Sequence, residues 1–218
     1  HRSPRPVDRD AARGGSPTPT PGTAQTLPVR RHDDSAVHDA EARLARPPIG
    51  AFDRAALADL PDPVQRHLRF AIADGTPLAQ SARIIMRGRI KLRRWMPFRA
   101  TEVVAPHHGF VWRARVAGGL FSGSDRFVDG EGGMDWRLAG LIPVVQASGD
   151  DVSRSAAARA GGEAAWVPTA LVPQAGVTWS APADDVIVAA FTVGGVPIEL
   201  QQHIDATGRV LSVVFDRW

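Results

Sequence analysis

Residues 83–98 read Arg83-Ile84-Ile85-Met86-Arg87-Gly88-Arg89-Ile90-Lys91-Leu92-Arg93-Arg94-Trp95-Met96-Pro97-Phe98, and their pattern decides the fold. The even positions from Ile84 to Leu92 are Ile84, Met86, Gly88, Ile90 and Leu92, whereas the odd positions after Ile85 are Arg87, Arg89, Lys91 and Arg93. A strand sends successive side chains to opposite faces, so a period of two predicts a β-strand with one apolar and one cationic face. The apolar side belongs to a core, and the cationic side meets water or an anionic partner. Pro97 has no N–H for a ladder, which predicts that pairing ends there, with Trp95 and Phe98 bracketing the reversal.

The 218 residues suffice for one sizeable core plus tails. Without cysteine, neither disulfides nor thiolate zinc sites contribute. Residues 164–183 carry no charge, but Pro168, Pro173 and Pro182 interrupt them well short of the roughly 20 apolar residues of a spanning helix. No signal peptide or transmembrane segment is visible, which leaves a cytoplasmic or a membrane-associated location. Between residues 83 and 115 nine cations face Glu102 alone, in a chain whose net charge is +3. Lys91 is the sole lysine among 26 basic residues, a bias of base composition. With no recognised nucleic-acid module in view, no nucleic-acid partner is expected.

Residues 1–47 are rich in proline, glycine and arginine and poor in large apolar residues, and are expected to form a disordered tail. Residues 48–218 then make a single, mainly-β domain. It opens with a helical pair: Phe52, Ala55, Ala56 and Leu60 recur at helical spacing, and Val64, Leu68, Ala71 and Ile72 form a second stripe behind Asp62 as N-cap and Pro63. Residues 98–105 and 110–116 read as a hairpin around Pro106-His107-His108-Gly109, with Glu102 opposite Arg113 and Val103 opposite Trp112. That register makes Glu102 the internal counter-ion of a basic sheet. Residues 120–128 and 134–145 give the next pair across Asp129-Gly130-Glu131-Gly132-Gly133, with Trp136 pointing at the core. Residues 148–171 change to helical period, capped by Ser148 and broken at Gly161-Gly162, with Val152, Ala156, Ala160 and Ala164 as a small-residue stripe. Four strands follow, at 177–180, 186–193, 196–203 and 209–215, with a tight hairpin at Gly194-Gly195 that sets Phe191 opposite Ile198. The chain still reads as strand at Trp218, which suggests a domain cut at its C-terminus.

Motifs of chemistry are scarce. His107 and His108 are turn neighbours, His67 lies on a helix and His203 ends a strand, so no metal site is expected, and no cofactor. The glycines of 129–133 lack the spacing and the following helix of a phosphate loop. Gly119-Leu120-Phe121-Ser122-Gly123 has the wrong spacing for a nucleophile elbow. Glu163 sits beside an apolar, proline-marked segment: buried, it would be a functional acid or hold a polar headgroup, and otherwise it pairs with Arg159 four residues earlier.

Four ordered motifs carry a resemblance: Leu60-Pro61-Asp62-Pro63-Val64-Gln65-Arg66, Trp95-Met96-Pro97-Phe98-Arg99-Ala100, Phe110-Val111-Trp112-Arg113-Ala114, and Glu163-Ala164-Ala165-Trp166-Val167-Pro168-Thr169-Ala170-Leu171. Over about residues 57–218 the chain resembles a widespread bacterial family known only as a domain of unknown function. The resemblance implies no established activity; it implies membrane helices before the domain in many members, and sequence beyond the position of Trp218. By analogy, the expected meander is similar to the curved half-barrels of periplasmic lipoprotein carriers.

The sequence thus predicts an α+β, mainly antiparallel fold: a strongly curved sheet or half-barrel of about nine strands, with an inserted helix and an N-terminal helical pair. The expected function is non-enzymatic binding of an apolar or lipid-like ligand at Met86, Trp95, Phe98, Trp112, Trp136, Glu163 and Trp166. A basic face of Arg87, Arg89, Lys91, Arg93 and Arg113 would attract an anionic membrane surface or an acidic partner. The rival is an enzyme for an anionic substrate with Glu163 or Glu102 as acid or base. A third reading is an interaction module working through the basic face alone.

Overall fold

The computed structural model describes residues 34–217. Helix α1 (Asp34–Leu44) and helix α2 (Asp62–Ala71) precede six strands, β1 (Ala82–Lys91), β2 (Trp95–Ala105), β3 (Gly109–Val116), β4 (Phe121–Val128), β5 (Glu131–Leu138) and β6 (Ile142–Ser148). These pair in sequence order as one antiparallel sheet. Helix α3 (Asp150–Gly162) and three short 3-10 turns lead to a second antiparallel sheet of β7 (Thr178–Ala183), β8 (Val186–Val193), β9 (Val196–Ile204) and β10 (Val210–Val214). The α+β, mainly antiparallel class is therefore present, but as ten strands in two open sheets rather than about nine in one. The extra strand arises because residues 134–145 are not continuous. Ala139 (φ 51°) and Gly140 (φ 72°) turn the chain between β5 and β6.

Alternation divides the six-stranded sheet as the sequence predicts, and a helix packs on each face. On the face of Arg83, Arg87 and Arg99, the apolar side of α1 (Val37, Ala40, Leu44) buries against Val103, Ala105, Val111 and Val128. Of the expected tail, residues 1–33 lie outside the described residues, whereas Asp34–Leu44 is this helix. It was hidden because only three apolar positions carry its contact. On the opposite face, Phe110 and Phe127 join α3 and the inner residues of the second sheet, such as Ile187, Phe191, Ile198 and Leu200, in one core. Helix α3 comes close to both sheets because glycine stands where it touches them. A Cβ at Gly132 of β5 would lie 2.6 Å from Ser153 Cα, and one at Gly161 of α3 would lie 2.7 Å from the Ile198 side chain.

Several local expectations change. The hairpin after β2 has one residue fewer in its loop than expected, so Ala105 faces Gly109 and Glu102 faces Trp112, not Arg113. A one-residue slip exchanges the partners of every side chain. Gly109 enforces it: its φ is 138°, and a Cβ there would stand 1.9 Å from Phe127 O. Substituting Gly109→Ala is expected to destabilise the fold by at least ~1–3 kcal/mol, read as a lower urea midpoint. Pro97 does not end pairing but lies within β2, opposite Arg89. It is tolerated because β3 pairs with β2 only from Phe98 onward, leaving that end of β2 with one neighbour.

The β4–β5 turn is Asp129-Gly130 alone (φ 55° and 85°), and residues 131–133 belong to β5. Ser148 ends β6, so α3 starts after Gly149 with no side-chain cap; it stops at Gly162 as expected. The first predicted helix is a 3-10 turn, Arg54–Leu57, capped by Asp53, and α2 has Pro61 rather than Asp62 at its N-cap. The Gly194-Gly195 hairpin has the predicted register, Phe191 opposite Ile198. Among the described residues no helix is long and apolar enough to cross a membrane.

Candidate functional site

Ile84, Glu102, Trp112, Asp125 and Met134 stand side by side across β1 to β5 on the face that meets α3. Glu102 and Asp125 therefore flank Trp112, two strand spacings apart, or roughly 10 Å. Arg159 of α3 comes down between them, its guanidinium carbon 4.2 Å from the centre of the Phe110 ring and 5.3 Å from that of Trp112. Its Nη1 donates to Asp125 Oδ2 at 2.8 Å, its Nη2 to Glu102 Oε1 at 3.4 Å and its Nε to Glu163 Oε1 at 2.6 Å. One planar guanidinium holds three carboxyl groups because its donors fan outward in a fixed fork. Trp136 Nε1 completes the set by donating to Asp125 Oδ1 at 2.8 Å.

The cluster is short of positive charge. Glu102 is 1% exposed, and burial, followed by the charge and hydrogen bond of Glu163, pushes its carboxyl up to about 8 against the pull of Arg159. Glu163 Oε2 is buried without a donor. A proton on Glu102 supplies that donor, leaving one guanidinium between two carboxylates. Burial works to lower the Arg159 pKa, but Glu163, Glu102 and Asp125 together raise it, so Arg159 stays a cation. Glu102 is thus not the counter-ion of the basic face, because the corrected register puts it on the other side of the sheet. That role belongs to Glu41 of α1, which lies 2.9 Å from Arg83 and 3.7 Å from Arg113.

Two clefts open beside Arg159. One, of about 540 Å³, is lined by Phe110, Asp125, Met134, Val152 and Ala156. The other, of about 560 Å³, lies between the 3-10 turn Glu163–Trp166 and β10, where Trp166, Leu211, Val213 and Phe215 form an apolar wall beside Glu163. Arg217 borders both. Glu102 lines neither and communicates with the second cleft through Glu163.

Of the predicted ligand residues, Phe98, Trp112 and Trp136 form a chain of ring contacts with centroids 6.4 and 5.7 Å apart. Met86 shares their face by alternation, and Trp136 is half-buried rather than in the core. Glu163 and Trp166 join the cluster and the second cleft respectively. Trp95 does not join them, for it lies on the cationic face near the β1–β2 reversal. The expected Glu163–Arg159 pair is present. Arg87, Arg89 and Lys91 are exposed on β1 and Arg93 in the reversal, while Arg113 is half-buried beside Glu41.

Asp125 and the linking role of Arg159 were missed. The signal for Asp125 was its place in the alternation Phe121, Gly123, Asp125, Phe127, an acid on an apolar face. Much of the segment around Glu163 is structural: Thr169 Oγ1 donates to Ala79 O, His107 Nε2 donates to Ala170 O and Trp179 Nε1 donates to Leu171 O, each at 2.7 Å. These bonds fix the backbone that carries Glu163 into the cluster.

Two sheets with a helix between them and a buried guanidinium–carboxyl cluster beside apolar clefts define the class of domain. The chain belongs to a family of unknown function (DUF6544), whose model matches residues 50–218. No curated protein and no solved structure matches the chain.

Proposed function

We propose that the domain binds an amphiphilic, lipid-like molecule without transforming it, in the cleft between Glu163–Trp166 and β10. The observation that carries this reading is the make-up of that cleft, an apolar wall of Trp166, Leu211, Val213 and Phe215 ending at Arg159, Glu163 and Arg217. Its volume of about 560 Å³ falls within the range of small-molecule sites, in which apolar lining gives affinity and a few polar groups give orientation. The acyl or ring portion lies along the wall, and a headgroup that accepts hydrogen bonds meets the arginines. In this reading the six-stranded sheet curves about α3 as a half-barrel, with Met86, Phe98, Trp112 and Trp136 forming a further apolar surface.

Native mass spectrometry of the purified chain, followed by denaturing extraction and lipid analysis, tests the proposal. A stoichiometric amphiphile is expected, and it should be lost when the cleft is filled by Val213→Trp. A clean apo mass in both proteins, with no thermal shift against fatty acids, phospholipids or isoprenoids, would sink it. A second reading, an acid–base enzyme for an anionic substrate, is favoured by the proton that Glu102 holds near neutral pH beside Glu163. Turnover abolished by Glu163→Gln, with ligand binding intact, would favour it over the first.

A further inference from the structure

We infer that the end of the β1–β2 hairpin, with the arginine row behind it, is a docking surface for an anionic lipid bilayer. The register runs to Lys91 opposite Trp95, whereas β3 joins β2 only at Phe98. The last three pairs of the hairpin therefore stand beyond the rest of the sheet as a two-stranded finger. Leu92 (51% exposed) and Trp95 (57% exposed) sit at its end, among the exposed cations Lys91, Arg93 and Arg94. Single exposed apolar residues need no explanation. A leucine and a tryptophan together on a projecting tip ringed by cations match the boundary between lipid headgroups and acyl chains.

The row behind the tip points the same way. Arg87, Arg99 and Arg115 are direct cross-strand neighbours on β1, β2 and β3, and all three are exposed. Like charges placed opposite one another are unfavourable. Three other arginines of this sheet have counter-ions: Arg83 and Arg113 have Glu41, and Arg137 has Asp135. Among the described residues no carboxylate pairs with Arg87, Arg99 or Arg115. The row borders a cleft of about 630 Å³ that includes Thr101 and Ser122, hydroxyl donors, and no acid. Guanidinium forks and hydroxyls suit phosphate oxygens. The row lies about 13 Å behind the tip, so headgroups rising around an inserted finger come within the roughly 8 Å over which a charged surface acts at physiological salt.

A nucleic acid offers phosphates too, but it gives Leu92 nothing to bury in. Trp95 and the arginine row lie on the opposite face from Glu102 and Trp112, so the proposal stands or falls apart from the amphiphile cleft. Co-sedimentation of the full chain with large unilamellar vesicles tests it. Vesicles with 30% phosphatidylglycerol are expected to bind at least tenfold more tightly than pure phosphatidylcholine, with affinity falling as salt rises. Leu92→Ser with Trp95→Ser should lower binding at least tenfold at unchanged thermal stability. Arg87→Gln with Arg99→Gln and Arg115→Gln should abolish the preference for anionic lipid. Equal binding to both vesicle types, or binding indifferent to Leu92 and Trp95, overturns the proposal. So does a single-stranded oligonucleotide that binds more tightly than the vesicles and depends only on the arginines.

Discussion

Replacing Arg159 with methionine is expected to cost about 3–5 kcal/mol, the largest effect of any side-chain truncation in the cluster. The reason lies in what would be left behind. Glu102, Asp125 and Glu163 all take hydrogen bonds from this guanidinium, and all three are largely shielded from water. Methionine restores the packing against Phe110 and Trp112 but supplies no donor and no charge. At least two carboxylates would then be buried without compensation, and a buried unpaired charge is costlier than the net worth of the pair it has lost. A fall of roughly 1–3 M in the urea midpoint should result. Arg159→Lys should fall between, since an ammonium keeps the charge but cannot reach three acceptors in one plane. A loss below about 1 kcal/mol, the scale of an exposed pair, would mean that water reaches the cluster freely.

Much of the fold was legible because its signals are local. The period of two in β1, the Gly194-Gly195 hairpin and the glycine stop of α3 each depend on a few neighbouring residues and the φ values they allow. The division into two sheets was not legible, since it depends on whether α3 fits between them. That fit is decided by glycines at Gly132 and Gly161, whose partners are distant in sequence. The register of the β2–β3 hairpin turned on Gly109, which sits as readily in a loop as in a strand on paper. Its backbone is pressed against Phe127 of β4, a contact that no local pattern encodes.

The same slip of one residue explains why the site was only half visible. With Glu102 assigned opposite Arg113, its neighbours are cations and its pKa should fall. With Glu102 opposite Trp112, its neighbours are aromatic rings and a second carboxyl group, and the direction reverses. Glu41, the true counter-ion of the basic face, lay in a segment whose composition reads as tail. Asp125 was legible in principle. Its parity with Phe121 and Phe127 marks an acid that must either find a partner in the core or be protonated there.

That reversal makes the pH dependence of stability the sharpest solution test of the cluster. Glu102→Gln is expected to change stability little at pH 5 and to raise it by several kcal/mol at pH 9, near the upper end of what one substitution does. The folded protein holds the Glu102 proton up to about 8, against an ordinary value of 4.5. Between those values the native state binds more protons at Glu102 than the unfolded chain, so the contribution of Glu102 to stability falls as pH rises. The contribution is complete below about 4.5 and is lost as pH climbs through about 8, with a limiting slope of about 1.4 kcal/mol per pH unit. Glutamine mimics the protonated form: its amide donates to Glu163 Oε2, its carbonyl accepts from Arg159, and it does not titrate. The variant's advantage over the wild type should therefore widen from pH 5 to 9, as urea unfolding of both proteins at each pH would show, because the buried His67, whose pKa is lowered by desolvation, acts on both alike. Glu102→Ala, which removes both hydrogen bonds, should be less stable than Glu102→Gln throughout. A difference between variant and wild type that instead stays constant between pH 5 and 8 would mean that Glu102 is ionised in the fold, with Arg159, not Glu163, as its dominant partner.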